Sequence, residues 1–336
     1  MSASSVFGGR LLRPVGNLTI YTFCGVLGDG FGEGRRFVRH GFARVDKLRT
    51  PLTNQFETPM CFSSLSFRTL VAVACVAAAP LYATQAFADS ARMDKVLAGE
   101  HRSEASKARD KYRNPKATLE FFGVKPNSNV VEVLPGGGWY TEVLAPYLRE
   151  SGTYVALWPA TAERGIKSHE ERMAAKPALY DKAKLAKITA SPNAGFVPTV
   201  EGVAPGSADF VLTFRNIHNL INPDLVDVYM RAFFDMLKPG GVLGVVDHRA
   251  KPGSTLKVMI DSGYVTEEYT IKRALAAGFR LDAKSDVNNN AKDAKDYPNG
   301  VWTLPPTLTE GEKDRAKYLE IGESDRFTIR FVKPAK

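Results

Sequence analysis

The chain has 336 residues, and its 45 Lys and Arg against 36 Asp and Glu give a formal net charge of +9. The basic residues form no stripe with interleaved aromatic residues, so this charge does not indicate a nucleic-acid-binding protein. The three cysteines, Cys24, Cys61 and Cys75, all precede residue 89. The remaining 248 residues therefore have no disulfide, no thiol nucleophile and no cysteine metal site, and they suffice for one α/β domain with a substantial core.

An apolar segment near residue 75 predicts that the first 88 residues are removed. The run from Leu70 to Leu81 follows Arg68 and precedes Ala86-Phe87-Ala88, which is the arrangement of a secretory signal peptide with its cleavage site. A membrane-spanning helix needs about 20 apolar residues, so cleavage is favoured over a membrane anchor. We predict a signal peptide over residues 60–88, a single domain over 89–336, and a periplasmic or secreted protein without stable membrane insertion.

Residues 1–59 are Gly-rich and basic, with no sustained helix or strand period. A signal peptide normally begins at the N-terminus, so we predict that Met60 is the translation start and that residues 1–59 are untranslated. The alternatives are a disordered extension and, third, a targeting segment of another kind. Without the first 88 residues, 36 basic and 32 acidic residues remain, and the net charge falls to +4.

Helix and strand signals alternate from residue 90 onwards. Asn114 is a good N-cap, Pro115 a good first helical residue and Gly123 a good helix end, so a helix is predicted over Pro115–Phe122. The other predicted helical segments are a charged surface helix or arm (Ser90–Tyr112), Tyr140–Leu148, Ala162–Lys187, Pro223–Leu237 and Thr266–Ala277. The predicted strands are Val130–Leu134, Tyr154–Trp158, Val197–Val200, Asp209–Phe214, Val242–Val246, Phe279–Leu281 and Arg326–Val332. A polar loop is predicted over Arg215–Asn219. A long polar connection before the last strand predicts a lid or an insertion.

This alternation predicts an α/β fold: a doubly wound, mostly parallel sheet with helices on both faces and an antiparallel C-terminal strand. The segment VVEVLPGGGWYTEVLAPY, Val130–Tyr147, reads as a strand, a glycine turn and an amphipathic helix. Gly136, Gly137 and Gly138 remove side chains from the turn and allow a ligand to approach the N–H groups of a helix N-terminus. The alternative is a corner that is Gly-rich for steric reasons alone.

Two other nucleotide sites fit this turn poorly. The NAD fingerprint needs a third glycine where Thr141 stands, and no acidic residue ends the second predicted strand to hold a ribose. A P-loop is excluded because no Gly-Lys-Ser/Thr follows the glycines.

Polar residues follow the later strands, at the edge of the sheet where open α/β sheets bind ligands. Asn216, His218, Asp247, His248 and Arg249 are expected to converge there. Either histidine is a candidate general base, and Asp247 is a candidate to orient an imidazole. Alternatively, Asp247 caps loop N–H groups and His248 fills a packed corner. Asn216 is a candidate for contact with the cofactor or acceptor, or else stabilises its own turn.

The same histidines and Asp247 also suggest a metal site, but no H-x-x-x-H or similar spacing fixes them on one face, so no metal site is predicted. Arg215, Arg249 and Arg326 are candidates to receive an anionic acceptor, although Asp325 and Arg326 could equally form a weak local surface pair. Trp302, in the long connection, is a candidate lid residue, the alternative being an ordered turn packed on the domain.

Four segments in this order resemble class I S-adenosylmethionine-dependent methyltransferases, and more narrowly the bacterial predicted methyltransferases that carry a signal peptide. They are EVLPGGGWYTEVLAP (Glu132–Pro146), FRNIHNL (Phe214–Leu220), LKPGGVLGVVDHRA (Leu237–Ala250) and ESDRFTIRFVKP (Glu323–Pro334). The resemblance covers roughly residues 107–334. It implies methyl transfer from S-adenosylmethionine to an unidentified small molecule.

The resemblance also implies roles for single residues. Glu132 would orient the methionine end of the cofactor, the glycine turn would offer bare backbone, and Trp158 would stack beside the adenosine. Two positions depart from the family: Leu134 stands at its first glycine, and Trp158-Pro159 ends the second strand in place of an acidic ribose ligand. The alternative hypothesis is therefore an exported member of the fold that binds a nucleoside-like ligand and is non-catalytic or differently catalytic.

Overall fold

The computed structural model describes residues 88–193 and 195–335. The predictions for residues 1–59 and for the signal peptide before residue 88 lie outside these described residues. A search of the described part of the chain for a helix with the length and apolar character to cross a membrane finds none.

Helices and strands alternate along the chain. The helices are α1 (residues 88–98), α2 (Glu104–Lys107), α3 (Asp110–Arg113), α4 (Pro115–Phe122), α5 (Thr141–Leu148), α6 (Glu163–Ala175), α7 (Pro177–Tyr180), α8 (Ile217–Ile221), α9 (Val226–Met236), α10 (Leu256–Ser262), α11 (Glu267–Ala276) and α12 (Arg315–Ile321). The strands are β1 (Asn129–Val133), β2 (Thr153–Pro159), β3 (Lys184–Thr189), β4 (Thr199–Glu201), β5 (Ala208–Phe214), β6 (Leu237–His248), β7 (Arg280–Ser285) and β8 (Arg326–Val332).

The strands form one sheet in the order β4-β3-β2-β1-β5-β6-β8-β7. The five strands β3, β2, β1, β5 and β6 pair in parallel, whereas β8 is antiparallel to both β6 and β7 and β4 is antiparallel to β3. This confirms the predicted doubly wound sheet with an antiparallel C-terminal strand. The strand order reverses between β1 and β5, and ligands in open α/β sheets bind at such a switch point.

Alternate residues of the central strands point to opposite faces of the sheet, and both faces are apolar and covered by helices. Val131 of β1 belongs to the core layer that contains Phe233 of α9. Its neighbour Val130 belongs to the layer on the other face, with Leu144 of α5. Both layers are buried, which explains why the central strands read as continuous apolar runs.

Several predicted elements are confirmed, and others need correction. The helix over Pro115–Phe122 has its predicted bounds, and Gly123 ends it at φ +92°. Lys184–Thr189 is the strand β3, not the end of a helix, because its side chains alternate between exposed and buried. The predicted strand at Val197–Val200 is the short antiparallel edge strand Thr199–Glu201.

Two further corrections concern helices. The predicted polar loop at Arg215–Asn219 contains the start of α8, whose residues Ile217, Leu220 and Ile221 are buried at helical spacing. The charged arm over Ser90–Tyr112 is divided into the three helices α1, α2 and α3. The helix α10 was not predicted.

The long connection between β7 and β8 is folded against the domain. Its buried Asn288 donates hydrogen bonds to the hydroxyls of Thr118 (3.0 Å) and Thr328 (2.8 Å). Asn290 donates to the carbonyl of Glu323 at 2.7 Å. A 3-10 turn (Gly300–Thr303) and α12 lie within it, so this connection is ordered by contacts with α4 and β8.

Candidate functional site

The glycine turn, Gly136–Gly138, follows β1 directly at the switch point of the sheet. Gly136 and Gly138 have φ values of +55° and +76°, in the region that favours glycine. A Cβ built on Gly137 would meet no atom within 4 Å, so the turn is open on that side. Leu134 also adopts a positive φ of +48°. The backbone thus adopts a glycine-like conformation at a residue that carries a side chain.

Glu132 lies buried beneath this turn, at 2% exposure. Its Oε2 accepts hydrogen bonds from Tyr154 Oη at 2.6 Å and Thr141 Oγ1 at 3.1 Å. Burial raises the pKa of Glu132 to about 7, although the two hydroxyls and the nearby Arg172 favour the ionised form. The carboxyl group is therefore poised to change its charge near neutral pH.

Buried polar atoms without hydrogen-bond partners lie at the glycine turn and on the elements β2, α5 and α6. A Cβ built on Gly138 would overlap the guanidinium of Arg172, so this side chain of α6 lies directly over the turn. Within the described chain, the partnerless buried atoms here are Arg172 Nη1, Trp158 Nε1, His169 Nδ1 and Glu142 Oε2. Such atoms are rare in folded proteins, so the partnerless Arg172 Nη1 against Gly138 marks a position for a ligand.

Two of these residues, His169 and Arg172, were missed by the sequence analysis because α6 reads as a charged surface helix. Burial, reinforced by the charge of Arg172, lowers the pKa of His169 to about 4, so its ring is neutral. The only sequence signal is their i, i+3 spacing, which places them on one side of α6.

Trp158 ends β2 beside this region. A Cβ on Gly165 would overlap its ring, and the ring makes an edge contact with His169 at 5.8 Å between centroids. One side of the indole is thus covered by α6. Its predicted stacking on an adenosine stays a prediction.

Asn216, at the end of β5, bonds to the neighbouring strand β1. Its amide donates to the carbonyls of Val133 at 3.0 Å and Leu134 at 3.4 Å. The side chain therefore positions the backbone that leads into the glycine turn, which goes beyond stabilising its own turn. Its predicted contact with a ligand stays a prediction.

His218, Asp247 and His248 are brought together, as predicted, because β5 and β6 are adjacent and parallel. His218 Nδ1 lies 2.9 Å from Asp247 Oδ1, and the His218 backbone N–H donates to Asp247 Oδ2 at 3.2 Å. The backbone N–H of His248 donates to Asp247 Oδ1 at 2.8 Å. Asp247 is fully buried. It both orients the imidazole and caps N–H groups, so the two roles proposed for it coexist.

His248 is buried, and its Nδ1 lies 2.5 Å from Ser324 Oγ. Burial lowers the pKa of His248 well below its ordinary value, and the adjacent His218 and Arg215 add to this effect. The ring is neutral at physiological pH. It lies 5.1 Å from the ring of His218, between centroids.

One ligand atom from each of His218, Asp247 and His248 can lie within 4.8 Å of the others. The sequence spacing did not reveal this proximity, which comes from the pairing of two strands. Both carboxylate oxygens of Asp247 already accept hydrogen bonds from protein groups. The positive charges near His248 also oppose a cation, so the donor set fits a metal ion poorly.

A cavity of about 150 Å³ opens beside these residues. It is lined by Arg215, His218, His248 and a wall from the long connection, residues 301, 302 and 305–307. Trp302 makes an edge contact with His218 at 6.3 Å between ring centroids. Trp302 therefore forms part of the wall over His218, within an ordered turn packed on the domain.

The three candidate arginines have different surroundings in the structure. Arg249 is paired with carboxylates, including Glu267 at 3.3 Å, and is not free to receive a ligand. The predicted surface pair of Asp325 and Arg326 is wrong, because both are buried and Arg326 pairs with Glu323 at 3.1 Å. Arg215 borders the cavity at a positive φ of +63°.

A larger cavity of about 250 Å³ lies at the amino ends of β1 and β2, where Asn129 and Thr153 line it. Ligands of open α/β sheets bind at the carboxyl ends of the strands. We therefore place the candidate site at the glycine turn and the smaller cavity.

No known protein-family profile matches this sequence, and no curated protein matches it either. Similar solved structures include an S-adenosylmethionine-dependent methyltransferase from Aquifex aeolicus, with 16% identity, a TM-score of 0.44, and coverage of 73% of this chain and 98% of that chain. A putative methyltransferase from Bacillus halodurans has 16% identity, a TM-score of 0.42, and coverage of 66% and 100%. A putative sarcosine dimethylglycine methyltransferase from Galdieria sulphuraria has 14% identity, a TM-score of 0.45, and coverage of 68% and 86%. At these values the similarities assign no ligand, acceptor or catalytic residue to this chain.

Proposed function

We propose that this chain binds S-adenosylmethionine at the glycine turn and transfers its methyl group to a small-molecule acceptor. The observation that carries this proposal is the open turn at the switch point of the sheet, with the partnerless Arg172 Nη1 against Gly138 and three further partnerless buried atoms on β2, α5 and α6. These atoms include a cationic donor, a neutral donor and a carboxylate oxygen. That mixture suits a ligand with a carboxylate, an amino group and a heterocycle.

Residues at the turn are suited to different groups of the cofactor. Gly137 gives the ligand access to backbone N–H groups, and the Arg172 guanidinium suits the carboxylate of the cofactor. The hydrogen bonds from Thr141 and Tyr154 to Glu132 both end on Oε2, so Oε1 is the oxygen with which it would receive the amino group. The bound cofactor supplies an electrophilic methyl group on its sulfonium.

His218 is the proposed general base. Because Asp247 accepts from Nδ1, the Nε2 atom is the one that can take a proton from the acceptor. The ring borders the cavity of about 150 Å³ under Trp302. Asp247 is a positioning residue, and His248, neutral and bonded to Ser324, shapes the wall beside it.

The ligand partner in this proposal is a small molecule, with no role for nucleic acid or for stable membrane insertion. Action in the periplasm or outside the cell is part of the proposal and depends on cleavage after Ala88. N-terminal sequencing of the protein from its native host should then find Asp89 as the first residue. An intact Met1 would refute export by this route.

A second candidate function is the binding of a nucleoside-like ligand without methyl transfer or with different chemistry. Two observations favour it: the residue at the first glycine position is Leu134, and Trp158 stands where the family has an acidic ribose ligand. This candidate predicts binding of S-adenosylhomocysteine but no transfer of a labelled methyl group.

Isothermal titration calorimetry with S-adenosylmethionine, S-adenosylhomocysteine and NAD tests the proposal. We expect micromolar or tighter binding of the first two and none of NAD. No heat from the first two, at concentrations able to detect micromolar binding, would contradict both candidate functions.

A further inference from the structure

Three arginines contact the carboxylate of Glu323 beside the candidate site, and a fourth, Arg215, acts on it electrostatically. Arg109 Nε lies 2.6 Å from Glu323 Oε1, while Arg113 Nε and Arg326 Nη2 lie 3.0 and 3.1 Å from Oε2. Arg215 is close enough to these groups to share their electrostatic interactions. Arg113, Arg326 and Glu323 are at most 3% exposed. The centre of this arginine cluster is thus buried, whereas Arg109 and Arg215 are partly exposed.

The charges of the cluster do not balance. Burial alone would raise the pKa of Glu323, but the four arginines hold it at about 2, so it is ionised. Asp247 is the other carboxylate that acts on Arg215. Four positive and two negative charges leave an excess of two positive charges among these six groups. Buried charge without compensation is costly, so an excess of this kind favours an anionic ligand.

Some donor groups of the arginine cluster also have no hydrogen-bond partner among the described residues. Arg113 Nη2 and Arg109 Nη2 are buried without a hydrogen-bond partner in the described chain. No hydrogen bond or ion pair is found for the Arg215 guanidinium among the described residues, and Arg215 lines the cavity that contains His218. The unused donors and the unbalanced charge therefore occur in the same cluster, and one of its members reaches the cavity.

The cavity beside Arg215 has room for a small anionic group. Its volume of about 150 Å³ corresponds to roughly five water molecules in the liquid. A carboxylate or phosphate group with a few further atoms fits this space. Arg215 and His218 border the same cavity, so a small anion held by Arg215 lies beside the proposed general base.

We propose that the acceptor is a small organic anion whose carboxylate or phosphate group is held by Arg215 and attracted by the excess charge of the arginine cluster. This inference rests on the proposed function for the acceptor role and adds the chemical class of the substrate. Arg215 is then a binding residue for the acceptor. Arg109, Arg113 and Arg326 act through charge and position.

Inorganic phosphate and acetate are the probes for this site, with sodium chloride at equal ionic strength as the control. In the full chain, we expect a saturable rise in the melting temperature with at least one probe. Whichever saturates at the lower concentration identifies the preferred oxyanion. No saturable effect beyond that of chloride would overturn the inference.

Arg215→Gly is the matched variant, because glycine suits the positive φ at this position and the fold should be retained. Its apparent affinity for the effective probe should be at least about tenfold weaker, since a charge-assisted contact is lost. Arg249→Gln is the control, because Arg249 is already paired with Glu267, and its affinity should stay within about twofold. Equal affinity in Arg215→Gly and the wild type would overturn the assignment. If Arg215→Gly fails to fold, Arg215→Lys should weaken binding, because it loses the planar fork.

Titration with S-adenosylhomocysteine separates this inference from the proposed function. If the Arg215→Gly variant still binds S-adenosylhomocysteine, the anion site belongs to the acceptor and not to the cofactor. Loss of that binding would mean that Arg215 serves the cofactor and would overturn the acceptor assignment. If the wild type does not bind S-adenosylhomocysteine but shows an Arg215-dependent anion effect, the methyltransferase proposal fails and the anion site stands.

Discussion

At the scale of single residues, Glu132 links the candidate cofactor site to pH. Its pKa is raised from 4.5 to about 7, mainly by burial. The folded protein therefore holds a proton on Glu132 at pH values where the unfolded chain has released it. Stability from this group is fully present below pH 4.5 and is lost as the pH rises through about 7. The total corresponds to about 3 kcal/mol.

Glu132→Gln should remove this dependence while keeping the shape of the side chain. Relative to the wild type, its free energy of unfolding should increase between about pH 4.5 and pH 8, by up to about 3 kcal/mol. Urea unfolding of both proteins at several pH values measures this difference. His248, whose lowered pKa costs stability as the pH falls, is present in both proteins and cancels. If the free energies of unfolding of the two proteins change with pH in parallel, Glu132 is ionised in the folded state.

Leu134 carries local strain, because φ is +48° in a residue with a side chain. Alanine normally stabilises a protein relative to glycine, but here Leu134→Ala should be less stable than Leu134→Gly by about 1 kcal/mol. Both variants lose the same leucine packing, so the comparison isolates the backbone.

Gly137 supplies the control for this comparison, since its φ is not positive and a Cβ there has free space. Gly137→Ala should leave the free energy of unfolding unchanged or raise it by up to about 1 kcal/mol. Urea unfolding gives all four values. The strain assignment fails if Leu134→Ala is as stable as Leu134→Gly.

At the scale of secondary-structure elements, Asp247 joins the end of β6 to the first turn of α8 through His218. For an acceptor that must lose a proton, His218→Gln should lower the rate of methyl transfer by about 10²–10⁴-fold. The dissociation constant of S-adenosylhomocysteine should change little, which separates a catalytic role from a structural one. Transfer assays with a labelled methyl group measure the first quantity and calorimetry the second. An unchanged rate would remove His218 from the mechanism.

Glu323 connects α3 to the segment before β8 through Arg109 and Arg113. Glu323→Gln leaves the buried arginines without their shared carboxylate, so the free energy of unfolding should fall by about 3–5 kcal/mol. Asp282→Asn is the control, because the pair of Asp282 with Arg330 is partly exposed and contributes at most about 1 kcal/mol. Similar losses in both variants would mean that the arginine cluster has no special need for a counter-charge.

At the scale of the whole molecule, the sheet was predictable and long-range side-chain pairing was not. The apolar run of β1, the three glycines and the helix α5 follow one another within a short stretch, so the local sequence predicts a strand, a turn and a helix. Adjacent strand ends then predict the meeting of His218 with Asp247. The strand β3 was missed because the whole stretch of residues 162–187 is rich in Ala, Lys and Glu, which hides the short alternation of lysines with buried Ala186 and Ile188.

Other features of the site depend on how separate elements pack. The guanidinium of Arg172, on α6, lies against Gly138, and no local sequence pattern predicts this contact. Arg113 and Glu323 are 210 residues apart in the chain. Their pairing requires the folded connection between β7 and β8, which the sequence predicted only as a lid or insertion.

The central claim is that the glycine turn holds S-adenosylmethionine, and Gly137 offers the most direct measurement. A Cβ at this position meets no protein atom within 4 Å, so a small side chain there should affect a bound ligand and not the fold. Calorimetry with S-adenosylhomocysteine should show affinity that falls at least about tenfold in Gly137→Ala and further in Gly137→Val, because the side chain takes space next to the backbone N–H groups. Unchanged affinity in a folded Gly137→Val protein would contradict the claim.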